Sequence, residues 1–229
     1  MQIYYNQLDS KLKDNLKPIY IIAGSEIYQE ELCLQKIIKA AKKESFFDHE
    51  VMYVEKSFDW DSFNSSNSNL SLFSSKKIIE LRFLTKSVGI TAEKKILEII
   101  ENFSQDNLII IRLPELKAAD FKKKYLGIKN SNVGLIRIYP MTRKDIITEL
   151  LSSSKSLSYK IDLKCINFIA DLYEGNMVAA NQALIKLDLM MTDDQQIDLM
   201  FLKKVFSKDV DFEASNLVDY AVEGNIEKV

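Results

Sequence analysis

From residue 18 onwards, unbroken apolar runs alternate with segments whose apolar side chains recur every three or four positions. The first run, Ile-Tyr-Ile-Ile-Ala at 19–23, has no in-out alternation, which suits a strand covered on both faces. Gly24 ends it. Residues 27–43 then set Ile27, Leu34, Ile38 and Ala41 on one stripe among lysines and glutamates, as an amphipathic helix requires. Further strands are predicted at 50–54, 77–83, 107–112 and 134–139, with helical segments between most of them. In one of these, 91–103, Thr91 is placed to cap the N-terminus, and Ile96, Ile99, Ile100 and Phe103 recur at core spacing. The alternation predicts an α/β fold: a mainly parallel five-stranded sheet with right-handed crossovers.

After Pro140 the strand pattern stops. Thr142 begins a T-x-x-D capping box ending at Asp145, and Ile146, Ile147, Leu150 and Leu151 form the stripe of a new helix. Asp162 can cap a helix running to about Tyr173, Gly175 can close it in a left-handed turn, and Asn176 can cap the next. With helices at 177–191 and 199–206, this part reads as a small helical bundle. The expected organisation is an α/β domain at 1–140, a helical lid domain at 141–209, and at 210–229 the opening of a further helical domain. The last expectation rests on 212–225 reading as a single helix, which cannot enclose a core alone.

Composition narrows the chemistry. The net charge of −2, with both signs interspersed, leaves no broad cationic field, so any nucleic-acid contact is expected to be local or made through partners. Cys33 and Cys165 each sit inside an apolar helical pattern, which suits core fillers in a reducing compartment rather than a disulfide framework. His49 is the single histidine and reads as part of a polar turn, so neither a zinc site of the usual ligand set nor a His-based triad is expected. The opening residues carry no signal-peptide pattern and no apolar run approaches the ~20 residues that span a bilayer, so a soluble, cytoplasmic protein without membrane contact is expected.

A parallel sheet followed by helices is a common nucleotide-binding layout, and a phosphate cradle would follow the first strand. The sequence there is GSEIYQEE, where Gly24, Ser25 and Glu26 stand in place of the glycines, lysine and hydroxyl of G-x-x-x-x-G-K-S/T. Glu26, Glu30 and Glu31 would repel a triphosphate. The strand at 107–112 runs into RLPEL, with Glu115 rather than an acidic pair to hold magnesium. No catalytic residue, metal or cofactor is expected.

Four blocks, in order, carry a resemblance: PIYIIAGSEIYQEE (18–31), SLFSSKKIIEL (71–81), YEGNMVAANQALIKLDLM (173–190) and FEASNLVDYAVEGN (212–225). Together they resemble the bacterial DNA polymerase III delta-subunit family across nearly the whole chain. The resemblance implies an AAA+-like fold without ATPase activity, in a non-catalytic subunit of a DNA-directed DNA polymerase holoenzyme, a nucleotidyltransferase complex. It implies a sliding clamp (beta subunit) as partner, a hetero-pentamer with gamma/tau and delta-prime subunits, and primed DNA met through that complex. It also implies a third, collar domain, of which 210–229 would be the start. The matching clamp-binding pair is Leu72 and Phe73, framed by Ser71 and Ser74 with Leu70 packing beneath; the residues alone favour a short helix docked on the sheet.

Two readings stay beside this one. Lys122, Lys123 and Lys124 could touch DNA phosphate, or form a solvated helix face. The chain could also be an NTPase or nucleotide kinase with an atypical phosphate loop, which would require nucleotide binding near Gly24.

Overall fold

The computed structural model describes residues 2–68, 76–85, 87–114, 116, 118–125, 128, 130–173, 175–191 and 196–206. It divides into two compact units, Met1–Pro140 and Met141–Val229. No helix among the described residues is long and apolar enough to cross a membrane.

The first unit runs β1 (Gln2–Ile3), a short 3-10 turn, α1 (Leu8–Asp14), β2 (Ile19–Gly24), α2 (Ile27–Lys43), β3 (Asp48–Val54), α3 (Trp60–Ser68), β4 (Lys77–Phe83), α4 (Ile90–Glu101), β5 (Asn107–Pro114), α5 (Ala118–Lys124) and β6 (Val133–Arg137). Every pairing in its sheet is parallel, in the order β1-β6-β2-β5-β4-β3. The sequence led to five strands; the sheet has a sixth, β1. Two residues are too short to show any period. They form a strand because β6 offers its outer edge, pairing Gln2 with Leu135 and Ile3 with Ile136, and because Ile3 is buried there.

β2 lies inside the sheet between β5 and β6 and is buried along its whole length, as its unbroken apolar run requires. Its alternate side chains feed two cores. Tyr20 and Ile22 pack with Leu8, Cys33, Ile37 and Ile110 on the α1–α2 face. Ile19, Ile21 and Ala23 pack with Phe63, Ile96, Ile109 and Phe121 on the other. Trp60 stands against Phe58 and Phe63 at the rim of this second core, in edge contacts of 5.0 and 6.3 Å.

Two helix details correct the sequence reading. The buried stripe of α2 is Glu30, Cys33, Leu34, Ile37 and Ala41, while Ile27 is exposed. At 3.6 residues per turn this is a rotation of about 50° from the apolar stripe, and it brings a glutamate onto the core face. Thr91 does not cap α4: Gly89 is the N-cap, without a side-chain bond, and the helix starts one residue earlier, at Ile90.

The second unit contains α6 (Arg143–Ser154), β7 (Lys160–Ile161), α7 (Leu163–Leu172), α8 (Met177–Met190), β8 (Gln196–Ile197) and α9 (Leu199–Val205). The Thr142–Asp145 capping box is formed, with the Thr142 amide donating to the Asp145 carboxylate at 2.8 Å. Asp162 caps α7 by accepting from the Cys165 amide at 2.8 Å, and Asn176 caps α8 by accepting from Ala179 at 3.0 Å. Gly175 takes a φ of +73°, the left-handed conformation that glycine adopts without cost. The parallel β7–β8 pair had no sequence signal. Leu150, Ile166, Ile169, Leu184, Leu187 and Leu202 are buried in this unit, and Tyr173 meets Phe206 edge-on at 6.2 Å. Residues 210–229 lie outside the described residues.

Candidate functional site

Open parallel sheets place ligands beyond the carboxyl ends of their strands, so the loop leaving β2 comes first. Gly24 has a φ of +156°, and a Cβ added there would overlap the Ile138 carbonyl, so β6's continuation closes over the turn. Ser25 is exposed, and Glu26 precedes α2 without a capping bond from its side chain.

Behind this loop lies a buried charge network. Glu30, one turn into α2, points inward and accepts from Arg112 Nε at 2.7 Å. Arg112 Nη1 also reaches Glu80 at 3.0 Å and Glu31 at 3.4 Å. Glu80 in turn accepts from Arg82 Nη2 at 2.7 Å and Nε at 3.0 Å, and pairs with His49 Nε2 at 3.1 Å. Sheet register creates this arrangement. Arg82 on β4 faces Arg112 on β5 as a Cα partner, and the carboxylate two positions earlier on β4 separates the two cations. His49 belongs to β3, which corrects its reading as a turn residue; it lies on the edge strand because β4 continues the sheet beneath it.

The electrostatics follow from burial against pairing. Burial alone would push the Glu80 carboxyl up, but hydrogen bonds from His49, Arg82 and Arg112 outweigh it and hold the group at about 2. Burial acts to lower Arg112, yet Glu30 and Glu80 raise it, so the guanidinium stays charged. Burial raises Glu30 against the opposing pull of Arg112. On sequence alone Glu30 and Glu31 form a repulsive screen against phosphates. The structure makes them partners of Arg112, so its cation is already neutralised by the chain's own carboxylates. The signal was present in the sequence: Arg112 interrupts IIIRLP and Glu80 interrupts KIIEL, and a charge inside a buried apolar strand calls for a partner.

Leu70, Ser71, Leu72, Phe73 and Ser74 lie outside the described residues; their flanks are described. On one side α3 ends at Ser68, and on the other β4 begins at Lys77. Lys77, 7% exposed, donates to the Ser66 carbonyl at 2.8 Å and to its hydroxyl at 2.6 Å, and pairs with Glu50 at 3.1 Å. Asn107, 6% exposed, donates to the Asn67 carbonyl at 2.7 Å. Two buried polar residues on the amino ends of β4 and β5 therefore hold the last turn of α3. Such groups are costly to bury without partners, and here the partners tie the last turn of α3 to the amino ends of β4 and β5.

Of the lysines on α5, Lys124 is taken up by Glu93 at 2.6 Å, while Lys122 and Lys123 are exposed. Nearby, Arg137 stacks on Phe121 and Tyr139 at 5.6 and 5.7 Å, and burial lowers its pKa. Cys33 and Cys165 are both buried and free, each thiol pushed up to about 12 chiefly by burial.

The family model for the DNA polymerase III delta subunit matches residues 20–133. Among curated proteins, the DNA polymerase III subunit delta of Haemophilus influenzae is 25% identical over 195 residues, covering 84% of this chain and 56% of its own length. That of Buchnera aphidicola from Schizaphis graminum is also 25% identical, over 226 residues, covering 99% of this chain and 67% of its own length. The chain thus spans a little over half the length of the first relative. Among solved structures, the Bacillus subtilis DNA clamp loader delta protein superposes with a TM-score of 0.61 at 15% identity, over 87% of this chain and 61% of that one. The Thermotoga maritima RuvB Holliday junction branch migration motor gives 0.54 at 11% identity, over 88% and 68%. These structural likenesses show a shared α/β fold.

Proposed function

Because residues 20–133 match the DNA polymerase III delta-subunit family model and curated delta subunits align with most of the chain, we propose that it is a member of that family, a clamp-loader subunit that binds and opens the ring-shaped sliding clamp for loading onto primed DNA. One observation carries the mechanical part of this reading. In an AAA+-like sheet, the place behind the loop leaving β2 is filled by the Glu30–Arg112–Glu80 network, with charges already paired inside the chain. A unit built this way holds its shape without a nucleotide and serves as a rigid arm, with ATP chemistry supplied by gamma/tau neighbours in a pentamer that also contains delta-prime. In domain terms, 1–140 is the arm, 141–209 a helical lid domain, and 210–229 the beginning of a collar domain.

The contact is made by Leu72 and Phe73, which follow in sequence the turn of α3 that Lys77 and Asn107 hold. Burying two such side chains is worth roughly 3 to 6 kcal/mol before the costs of association, enough for a small anchor to dominate an interface. The clamp opens because the anchor binds the sprung ring better than the closed one, which shifts its population by that differential affinity. In the assembled complex a local DNA contact would fall to Lys122 and Lys123; their exposure on α5 supports this.

Calorimetric titration with a purified clamp tests the anchor. The Leu72→Ala, Phe73→Ala double variant is expected to lose at least about 30-fold in affinity with an unchanged circular dichroism spectrum. Undiminished affinity would sink the assignment. A fluorescent ATP titration of the same chain is expected to stay flat; tight magnesium-nucleotide binding would favour the NTPase reading instead.

A further inference from the structure

A groove of about 560 Å³ runs between α1 and α2. Its chemistry departs from that of the chain as a whole, which carries a net charge of −2. Four ammonium groups line it: Lys13 from α1 and Lys36, Lys39 and Lys43 from α2, against the carboxylates of Asp9 and Glu44. The three on α2 stand at i, i+3 and i+7, one stripe spanning about 10 Å along the axis. Asp9 holds Lys36 at 2.8 Å, and Lys36 also covers the Tyr5 ring at 4.7 Å. Lys13, Lys39 and Lys43 are exposed, and each lacks a carboxylate partner among the described residues.

The kind of anion follows from what else lines the groove. Its apolar contribution is Leu12 and Ala40, too little to seat the side chains of a peptide. It contains no arginine fork for bidentate recognition of a carboxylate. Single-strand binders stack bases on aromatic platforms, and no aromatic side chain is among the described residues that line the groove. What remains is a row of point charges at roughly one-turn intervals, which fits regularly spaced phosphates and makes no base contact. We propose that the α1–α2 groove binds the phosphodiester backbone of duplex nucleic acid without reading its sequence. This site is separate from the α5 lysines and does not depend on the clamp-binding reading.

The probe is a fluorescently labelled mixed-sequence DNA duplex, titrated with the whole chain and followed by anisotropy. Engaging three free ammonium groups predicts a slope of about −2.7 in log affinity against log salt, or roughly 40-fold weaker binding between 50 and 200 mM salt. The Lys13→Glu, Lys39→Glu, Lys43→Glu variant is expected to lose at least tenfold in duplex affinity while keeping its melting temperature and its affinity for the clamp. Lys56→Glu, Lys94→Glu, a comparison variant at two exposed lysines outside the groove, is expected to leave most of the binding at low salt. The proposal is overturned by absence of duplex binding at 50 mM salt or by full retention in the groove variant. Tighter binding of an acidic peptide of equal charge would overturn it too. Loss of clamp binding in Leu72→Ala, Phe73→Ala leaves this result untouched, so the two readings fail separately.

Discussion

Replacing Arg112 with methionine isolates the buried network. The substitution keeps an unbranched apolar stem to about the position of Nε and removes the guanidinium with its charge. Glu80 would retain Arg82 and His49, but Glu30, whose side chain is 4% exposed, would lose its 2.7 Å partner. Breaking a buried ion pair on one side costs about 3–5 kcal/mol. With Glu80 still paired, the lower end applies, about 3 kcal/mol. At a urea dependence of about 1–3 kcal/mol per molar, the midpoint should fall by about 1–3 M. Trp60 is the chain's one tryptophan and packs between Phe58 and Phe63, so its fluorescence reports the first unit alone. Acid should narrow the gap, because an unpaired buried Glu30 titrates above its unfolded value. Its penalty is present at neutral pH and relieved as pH falls through that raised value and then 4.5. Adding Glu30→Leu to Arg112→Met should return stability to within about 1 kcal/mol of the parent, since a hydrophobic replacement of a buried pair is often neutral. A midpoint shift below about 0.3 M, or a double variant no better than the single, would refute this account.

Three further outcomes are expected. Because the folded Glu80 carboxyl sits at about 2 against 4.5 unfolded, its contribution is complete above pH 4.5 and drains away as pH falls towards 2; a Trp60-monitored stability curve that stays flat through that window would contradict the pairing. Gly24→Ala should destabilise the first unit, since its Cβ meets the backbone carbonyl of Ile138, and a melting temperature equal to the parent's would show that β6's continuation moves freely. Thr142→Ala should cost the second unit about 1 kcal/mol, read as faster amide exchange in the first turn of α6, with no change in Trp60 fluorescence.

Much of the fold is legible along the chain because its signals are local. The apolar runs at 19–23, 77–83 and 107–112 announce buried strands through composition alone, and Thr142, Asp162 and Asn176 announce helix starts because a cap bonds only within its own first turn. The site is less legible. Arg112 bonds to Glu30, 82 residues away, and to Glu80, 32 residues away, and no periodicity connects such positions. Thr91 failed as a cap for a related reason: a threonine near a helix start looks the same at N-cap and at the second helical position.

Sequence alone therefore determined the order and kind of most elements, the change of character after Pro140, and the want of a glycine-and-lysine phosphate loop after β2. Each depends on neighbours within a turn or a strand. Tertiary structure decided which face α2 turns inward, that a two-residue stretch becomes the sixth strand, that Lys77 and Asn107 hold the end of α3, and that acidic residues beside the loop are consumed by Arg112. Those outcomes depend on sheet register, which sets charges from distant strands side by side. In a buried, low-dielectric layer, such charges must find one another.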